Sequence, residues 1–144
     1  MEVAVRRARE GDLGSVKSLL EEGNLPILGV AEHFDSFLVA EQDGHLVGAI
    51  GLETYGDTGL LRSAVVDQTH RGVGIGTMLC GHLLELARER GIRRLILLTN
   101  TAEDYFAAKG FRSIDRAALT GPVTGSVEFS DACPSHAVCM ELVL

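Results

Sequence analysis

The densest chemical signal in the chain is Arg71-Gly72-Val73-Gly74-Ile75-Gly76, which lies between a strand-like run ending at Val66 and a helical pattern opening at Ile75. Residues without side chains let successive backbone N–H groups turn toward one point. The first turn of the following helix adds N–H groups that lack intrahelical acceptors, together with about half a unit of positive charge. Such a loop attracts an anion, and a diphosphate satisfies several of its donors at once. Spacing excludes two nucleotide motifs. A P-loop needs G-x-x-x-x-G-K-[ST], yet Gly76 is followed by Thr77 with no lysine near; the dinucleotide fingerprint G-x-G-x-x-G needs Gly or Ala where Thr77 again stands. The plainer account of the same glycines is a tight turn with no ligand.

Glu53 and Arg62 form the second candidate constellation, across the turn Tyr55-Gly56-Asp57-Thr58-Gly59. In either plausible register they are opposite or diagonal neighbours on one face of a hairpin. Arg62 interrupts the apolar run Leu60-Leu61-Arg62-Ser63-Ala64-Val65-Val66, where an unpaired charge is costly. Two accounts stand side by side. The pair is a structural ion bridge, or Arg62 turns its planar fork to a substrate anion while Glu53 takes a proton directly or through water. His70 adjoins the glycine loop and faces solvent or phosphate; His82 reads as a partly buried structural residue. His33, His45 and His136 lack metal-ligand spacing, and so do Cys80, Cys133 and Cys139, which are expected as free thiols. No metal is expected.

The elements that position these groups follow from periodicity. Val3 to Arg7 alternates as a short strand; Asp12 is placed to cap a helix whose buried face is Leu13, Val16, Leu19 and Leu20 and which stops at Gly23. After the break at Asn24-Leu25-Pro26 and a helical turn near Val30 to Phe34, strands follow one another: Phe37 to Glu41, the turn pair Asp43-Gly44, His45 to Glu53, then Leu60 to Val66. Ile75, Met78, Leu79, Leu83 and Leu86 recur at helical spacing until Gly91. A buried strand at Leu95 to Leu98, a short helix from Thr101 to Lys109 ended by Gly110, a strand from Phe111, a loop from Ala117 to Pro134 and a strand from His136 to Val143 complete the order. This is the pattern of an α+β domain with a mixed sheet of six to seven strands flanked by helices.

The 144 residues fit one domain, 1–144, and a composition 46% hydrophobic and 23% charged predicts a packed core. A formal charge of −7 argues against a nucleic-acid partner, since phosphate binding needs clustered Lys and Arg. No window approaches the roughly 20 apolar residues that span a bilayer. The expected location is therefore cytoplasmic, without a membrane partner.

Arg71-x-x-Gly74-x-Gly76, with its preceding strand and following amphipathic helix, resembles the [QR]-x-x-G-x-[GA] signature of the GNAT acyltransferases, and the likeness covers nearly the whole chain. It implies the GNAT fold and acetyl-coenzyme A as cosubstrate. Backbone N–H groups of Arg71, Gly72, Val73, Gly74, Ile75 and Gly76 would hold the pyrophosphate. Ala64, Val65 and Val66 would lie along the pantetheine arm in a splayed gap between strands. The implied activity is N-acetylation of a small-molecule primary amine, with a homodimer allowed. In this family the amine attacks the thioester while a base removes its proton and an acid protonates the departing thiolate. Proximity dominates, supplying roughly 7–11 kcal/mol against the 10²–10⁴-fold of a typical base.

Ala102-x-x-Tyr105-Phe106-x-x-x-Gly110-Phe111 is similar to a second family stretch, with one departure. The family's usual tyrosine acid falls on Phe106, and Tyr105 stands one place earlier, about 100° around the helix. Asn100, Thr101 or water are left to stabilise the thiolate. Gly51-Leu52-Glu53-x-Tyr55-Gly56, Leu60-Leu61-Arg62-Ser63 and Cys133-Pro134-Ser135-x-Ala137-Val138-Cys139-Met140 further resemble small arsenic-resistance-associated N-acetyltransferases, relatives of the phosphinothricin type. That likeness implies an amino-acid analogue carrying an arsinic or phosphinic group. A non-catalytic acyl-CoA-binding module and a protein N-terminal or lysine acetyltransferase are the alternatives.

Overall fold

The computed structural model describes residues 2–129 and 137–144. In chain order its elements are β1 (Ala4–Arg7), α1 (Leu13–Glu22), β2 (Phe37–Gln42), β3 (His45–Tyr55), β4 (Thr58–Val66), α2 (Ile75–Glu89), β5 (Arg94–Thr99), α3 (Glu103–Ala108), β6 (Arg112–Ile114) and β7 (Val138–Val143). The seven strands form one mixed sheet in the order β1-β2-β3-β4-β5-β7-β6. The expected α+β class and strand number are met. Cys133 and His136 lie outside the described residues.

Alternation along β2 shows how the sheet separates two apolar layers. Leu38 and Ala40 join α2's buried stripe, Ile75, Leu79, Leu83 and Leu86, together with Phe106 and Phe111. Phe37 and Val39 face the other way, onto Val16, Leu19 and Leu20 of α1. Phe37 pairs with Gly51 across β2 and β3. A Cβ on Gly51 would stand 2.3 Å from the Phe37 ring, so only glycine lets that ring lie flat on the sheet.

Helix ends follow the glycines: α1 stops at Gly23, whose N–H donates to the Leu19 carbonyl at 3.1 Å. Gly91 takes φ +76 and Gly110 φ +100, and the bonds Ile92 N–H to Ala87 O (3.0 Å) and Phe111 N–H to Phe106 O (3.1 Å) close α2 and α3. Asp12 departs from expectation. Its carboxylate accepts from the Arg9 N–H at 2.7 Å and from Arg6 at 2.8 Å and makes no bond into α1. The arginine beside it on β1 out-competes the helix N–H groups for its oxygens.

One irregularity shapes the site. The β3–β4 register runs Gly51↔Arg62 but Ala49↔Val65, so Ser63 and Ala64 together oppose the one residue between. Ser63 adopts φ +60, a β-bulge that bends β4. On its other edge β4 pairs in parallel with β5 only through Thr58, Gly59 and Leu60 against Arg94, Leu95 and Ile96. Beyond Leu60 the two strands separate.

Candidate active site

The separation of β4 and β5 opens a cleft of about 800 Å³. Ser63, Ala64, Val65 and Val66 form one wall and Leu97, Leu98 and Thr99 the other, while Arg71, Gly72, Gly74, Ile75, Gly76 and Thr77 stand at its mouth. Past Leu60 the β5-facing backbone groups of β4 have no strand partner among the described residues, which leaves them for an extended ligand.

The mouth is made of main chain. Gly72 and Gly74 take φ +83 and +90, conformations that L side chains rarely adopt. The Arg71 Nε donates to the Val66 carbonyl at 3.2 Å and closes the loop back on β4. The first bond of α2 runs from the Met78 N–H to the Gly74 carbonyl, so the N–H groups of Ile75, Gly76 and Thr77 precede the intrahelical ladder. The side chain of Val73 is 72% exposed and lies outside the cleft, which leaves only its backbone N–H for the expected role. Asn100 is likewise exposed and outside, while Thr99 and Thr101 on either side line the cleft.

His70 lines the cleft beside the glycine loop and is held through Nδ1 by Asp67 at 3.1 Å. The backbone N–H of Thr69, with lesser help from His70, keeps the Asp67 carboxyl below the usual carboxylate range. Tyr105 also lines the cleft; its hydroxyl hangs over the first turn of α2, 3.1 Å from where a Gly76 Cβ would stand. Phe106 lines the cleft too, but it is buried and packs edge-on against Phe111, with ring centroids 5.5 Å apart. The one-place offset thus leaves the tyrosine exposed at the cleft and the phenylalanine packed between cleft and core. Cys80 lines the cleft with its thiol pushed up by burial, against a hydrogen bond with Tyr105. Cys139 is buried.

Glu53 and Arg62 meet as diagonal neighbours: Gly51 is opposite Arg62, and Glu53 opposite Leu60. The Arg62 Nη1 donates to Glu53 Oε2 at 2.8 Å, and the Tyr55 hydroxyl donates to Glu53 Oε1. His33 Nε2 lies 3.7 Å from the same oxygen. Glu53 is 0% exposed and is not among the cleft-lining residues. Burial raises its pKa, but hydrogen bonds from Ser126, Tyr55 and Arg62 outweigh burial and hold it below the ordinary carboxylate range. A carboxylate so held and so enclosed is a structural anion, which disfavours its expected role as base. Arg62 is 2% exposed, with Nε donating to Ser63 Oγ at 3.0 Å and Nη2 to the Pro26 carbonyl at 3.4 Å. Its fork is already engaged inside the protein.

Sequence reasoning missed the rest of this cluster. Tyr55 stands two residues from Glu53 on the same strand face, a spacing that period-two alternation makes legible. Ser126 and Glu128 come from a loop that carried no motif. Glu128 is 4% exposed, lines the cleft and places Oε2 3.7 Å from Arg62 Nη2.

A model of the acetyltransferase (GNAT) family matches residues 6–113. The chain belongs to that family. An amino-acid acetyltransferase of Mycobacterium tuberculosis is 35% identical over 144 residues, covering 92% of this chain and 78% of that protein. Amino-acid acetyltransferases of Neisseria meningitidis are 31% identical over 77% of this chain, which spans only 28% of their length. Among solved structures, N-acetylglutamate synthase from Neisseria gonorrhoeae, complexed with coenzyme A and N-acetyl-glutamate, superposes with a TM-score of 0.85 at 25% identity. The match takes in 100% of this chain and 35% of that one. Rv2747 from Mycobacterium tuberculosis, in complex with CoA, gives 0.83 at 30% identity over 98% and 99%. The relatives named for an activity are amino-acid acetyltransferases and an N-acetylglutamate synthase, not arsenic-resistance enzymes. Among the described residues no helix is long and apolar enough to cross a membrane, and no His, Cys, Asp or Glu side chains group as a metal site.

Proposed function

We propose that the chain is a single-domain N-acetyltransferase that takes acetyl from acetyl-CoA and delivers it to the primary amine of a small amino acid. The opening of β4 from β5 beyond Leu60, with a glycine loop at its mouth, carries this reading. Coenzyme A brings the thioester whose acyl carbon accepts the amine. The chain's part is to hold and orient. N–H groups from Arg71 to Gly76 would hold the pyrophosphate, the β5-facing side of β4 at Ala64, Val65 and Val66 would lie along the pantetheine arm, and Arg71 would add a cation at the mouth. The cleft fits such a group: it is elongated between two strands, apolar along Leu97 and Leu98, and donor-rich at one end.

The amino-acid acceptor is supported by the names of the relatives and replaces the arsinic or phosphinic analogue, whose supporting residues at Cys133 to Ser135 lie outside the described residues. The test is thiol release from acetyl-CoA with L-glutamate, L-glutamine, other amino acids and phosphinothricin as acceptors. Turnover is expected with an α-amino acid. Tight CoA binding without thiol release from any amine would defeat the proposal and leave a non-catalytic binding module.

A further inference from the structure

An acceptor amine reaches neutral water mostly as ammonium and has to lose a proton before its nitrogen can form a bond. Among the described residues that line the cleft, Glu128 is the one carboxylate; the other titratable groups there are Arg62, His70, Arg71, Cys80 and Tyr105. His70 and Arg71 belong to the glycine loop, and Cys80 and Tyr105 to the helices beside it, whereas Arg62 and Glu128 stand together at the opposite end.

We propose, resting on the acetyltransferase reading above, that Glu128 receives the acceptor's ammonium and takes its proton, and that Glu53 is a positioning residue behind it. Glu53 holds Arg62 through the 2.8 Å bond and accepts from Ser126. Ser126 Oγ in turn accepts the Glu128 N–H at 3.2 Å. The buried carboxylate thus fixes both the cation facing Glu128 and the turn that carries it. In the step itself one N–H bond of the ammonium breaks and its proton goes to a Glu128 oxygen. The freed nitrogen lone pair forms the new C–N bond as the thioester C–S bond breaks and its electron pair leaves on sulfur; the acylated nitrogen then sheds its second proton, and the thiolate takes it up to give the neutral amide and the free thiol. Arg62 of β4 faces Glu128, with Glu53 and Tyr55 of β3 and His33 of the 31–36 turn behind it; Arg116 donates to the carbonyl of Phe129, the residue after Glu128, at 2.8 Å.

The experiment compares wild type, Glu128→Gln and Glu128→Asp on an amino acid that the wild type acetylates, with CoA binding measured separately by titration. Glu128→Gln is expected to lower kcat by about 10²–10⁴-fold, with the KM for acetyl-CoA unchanged. The deficit should narrow as pH rises toward the ammonium's own pKa, because a neutral amine needs no proton acceptor. Glu128→Asp keeps the carboxylate and should recover part of the rate. A Gln variant as fast as wild type, or one equally impaired at every pH, would overturn the proposal while leaving the acetyltransferase reading intact. A wild type that binds CoA yet acetylates no amine would overturn both.

Discussion

The two ends of the cleft are built from different materials. The mouth is main chain: a short stretch from Val66 to Thr77 supplies positive-φ glycines and helix N–H groups in one local turn. The far end is mostly side chain: Arg62 and Glu128 line it beside the Pro26 carbonyl, backed by His33, Glu53, Tyr55 and Ser126, and these residues are spread over most of the chain. A main-chain site depends on backbone angles and tolerates side-chain change, so it suits the cosubstrate that related enzymes share. A buried polar network depends on every member being satisfied, so it suits the part that distinguishes one acceptor from another.

The most damaging way to separate the ends is Arg62→Ala. Removing one partner of a buried pair leaves Glu53 enclosed without its arginine, its Tyr55 and Ser126 bonds alone against the burial, a loss of about 3–5 kcal/mol that chemical denaturation will measure. Replacing both members by apolar residues of similar volume, as in Glu53→Leu with Arg62→Met, should return most of that stability. A single variant as stable as wild type would show that the far end is not held by this pair.

Acid should act on the same end. Burial pushes Glu53 up, but its hydrogen bonds push harder and leave it below the 4.5 of an ordinary glutamate. Its stabilising share is therefore present above pH 4.5 and is lost as pH falls through the lower folded value. Denaturation between pH 7 and pH 3 should show a shallower acid limb in Glu53→Gln than in wild type, and equal slopes would refute the assignment. On the alkaline side burial, then the Glu53 carboxylate, pushes Tyr55 from 10.0 up to about 12. Its share is present below pH 10 and is lost as pH rises toward 12, which Tyr55→Phe should abolish.

At the mouth the expected effect is smaller and comes from φ. A Cβ on Gly74 meets nothing within 4 Å, yet φ there is +90. Gly74→Ala should therefore cost about 1–3 kcal/mol of strain, read as weaker CoA binding in a titration. An alanine variant that binds CoA as tightly as wild type would show that the loop does not need this turn to work.

This contrast also explains how much the sequence revealed. The glycine loop, the amphipathic α2 and the hairpin of β3 and β4 are local patterns, and period and spacing state them directly. The Glu53–Arg62 meeting was legible because β3 and β4 are consecutive and an isolated arginine in an apolar run demands a partner. The bulge at Ser63 was not, since nothing about serine announces φ +60. Nor was Glu128, whose place in the cleft depends on how the loop before β7 crosses β4, a tertiary fact without local signature. Asn100 and the Val73 side chain lie outside the cleft for the opposite reason: adjacency in sequence to a site does not fix which way a side chain points in a turn.

Those two residues give the mildest test of the division. If the mouth works through backbone N–H groups, Val73→Ser changes only a side chain that is 72% exposed. Asn100→Ala likewise removes an amide lying outside the cleft. Each should stay within about 0.5 kcal/mol of wild-type stability, as surface substitutions away from packed features do, and each should bind CoA within about twofold. A larger loss of CoA affinity in Asn100→Ala would restore that side chain to the donor site. The same result in Val73→Ser would mean that the loop turns this residue inward when it closes on phosphate, and the mouth would then depend on side chains as the far end does.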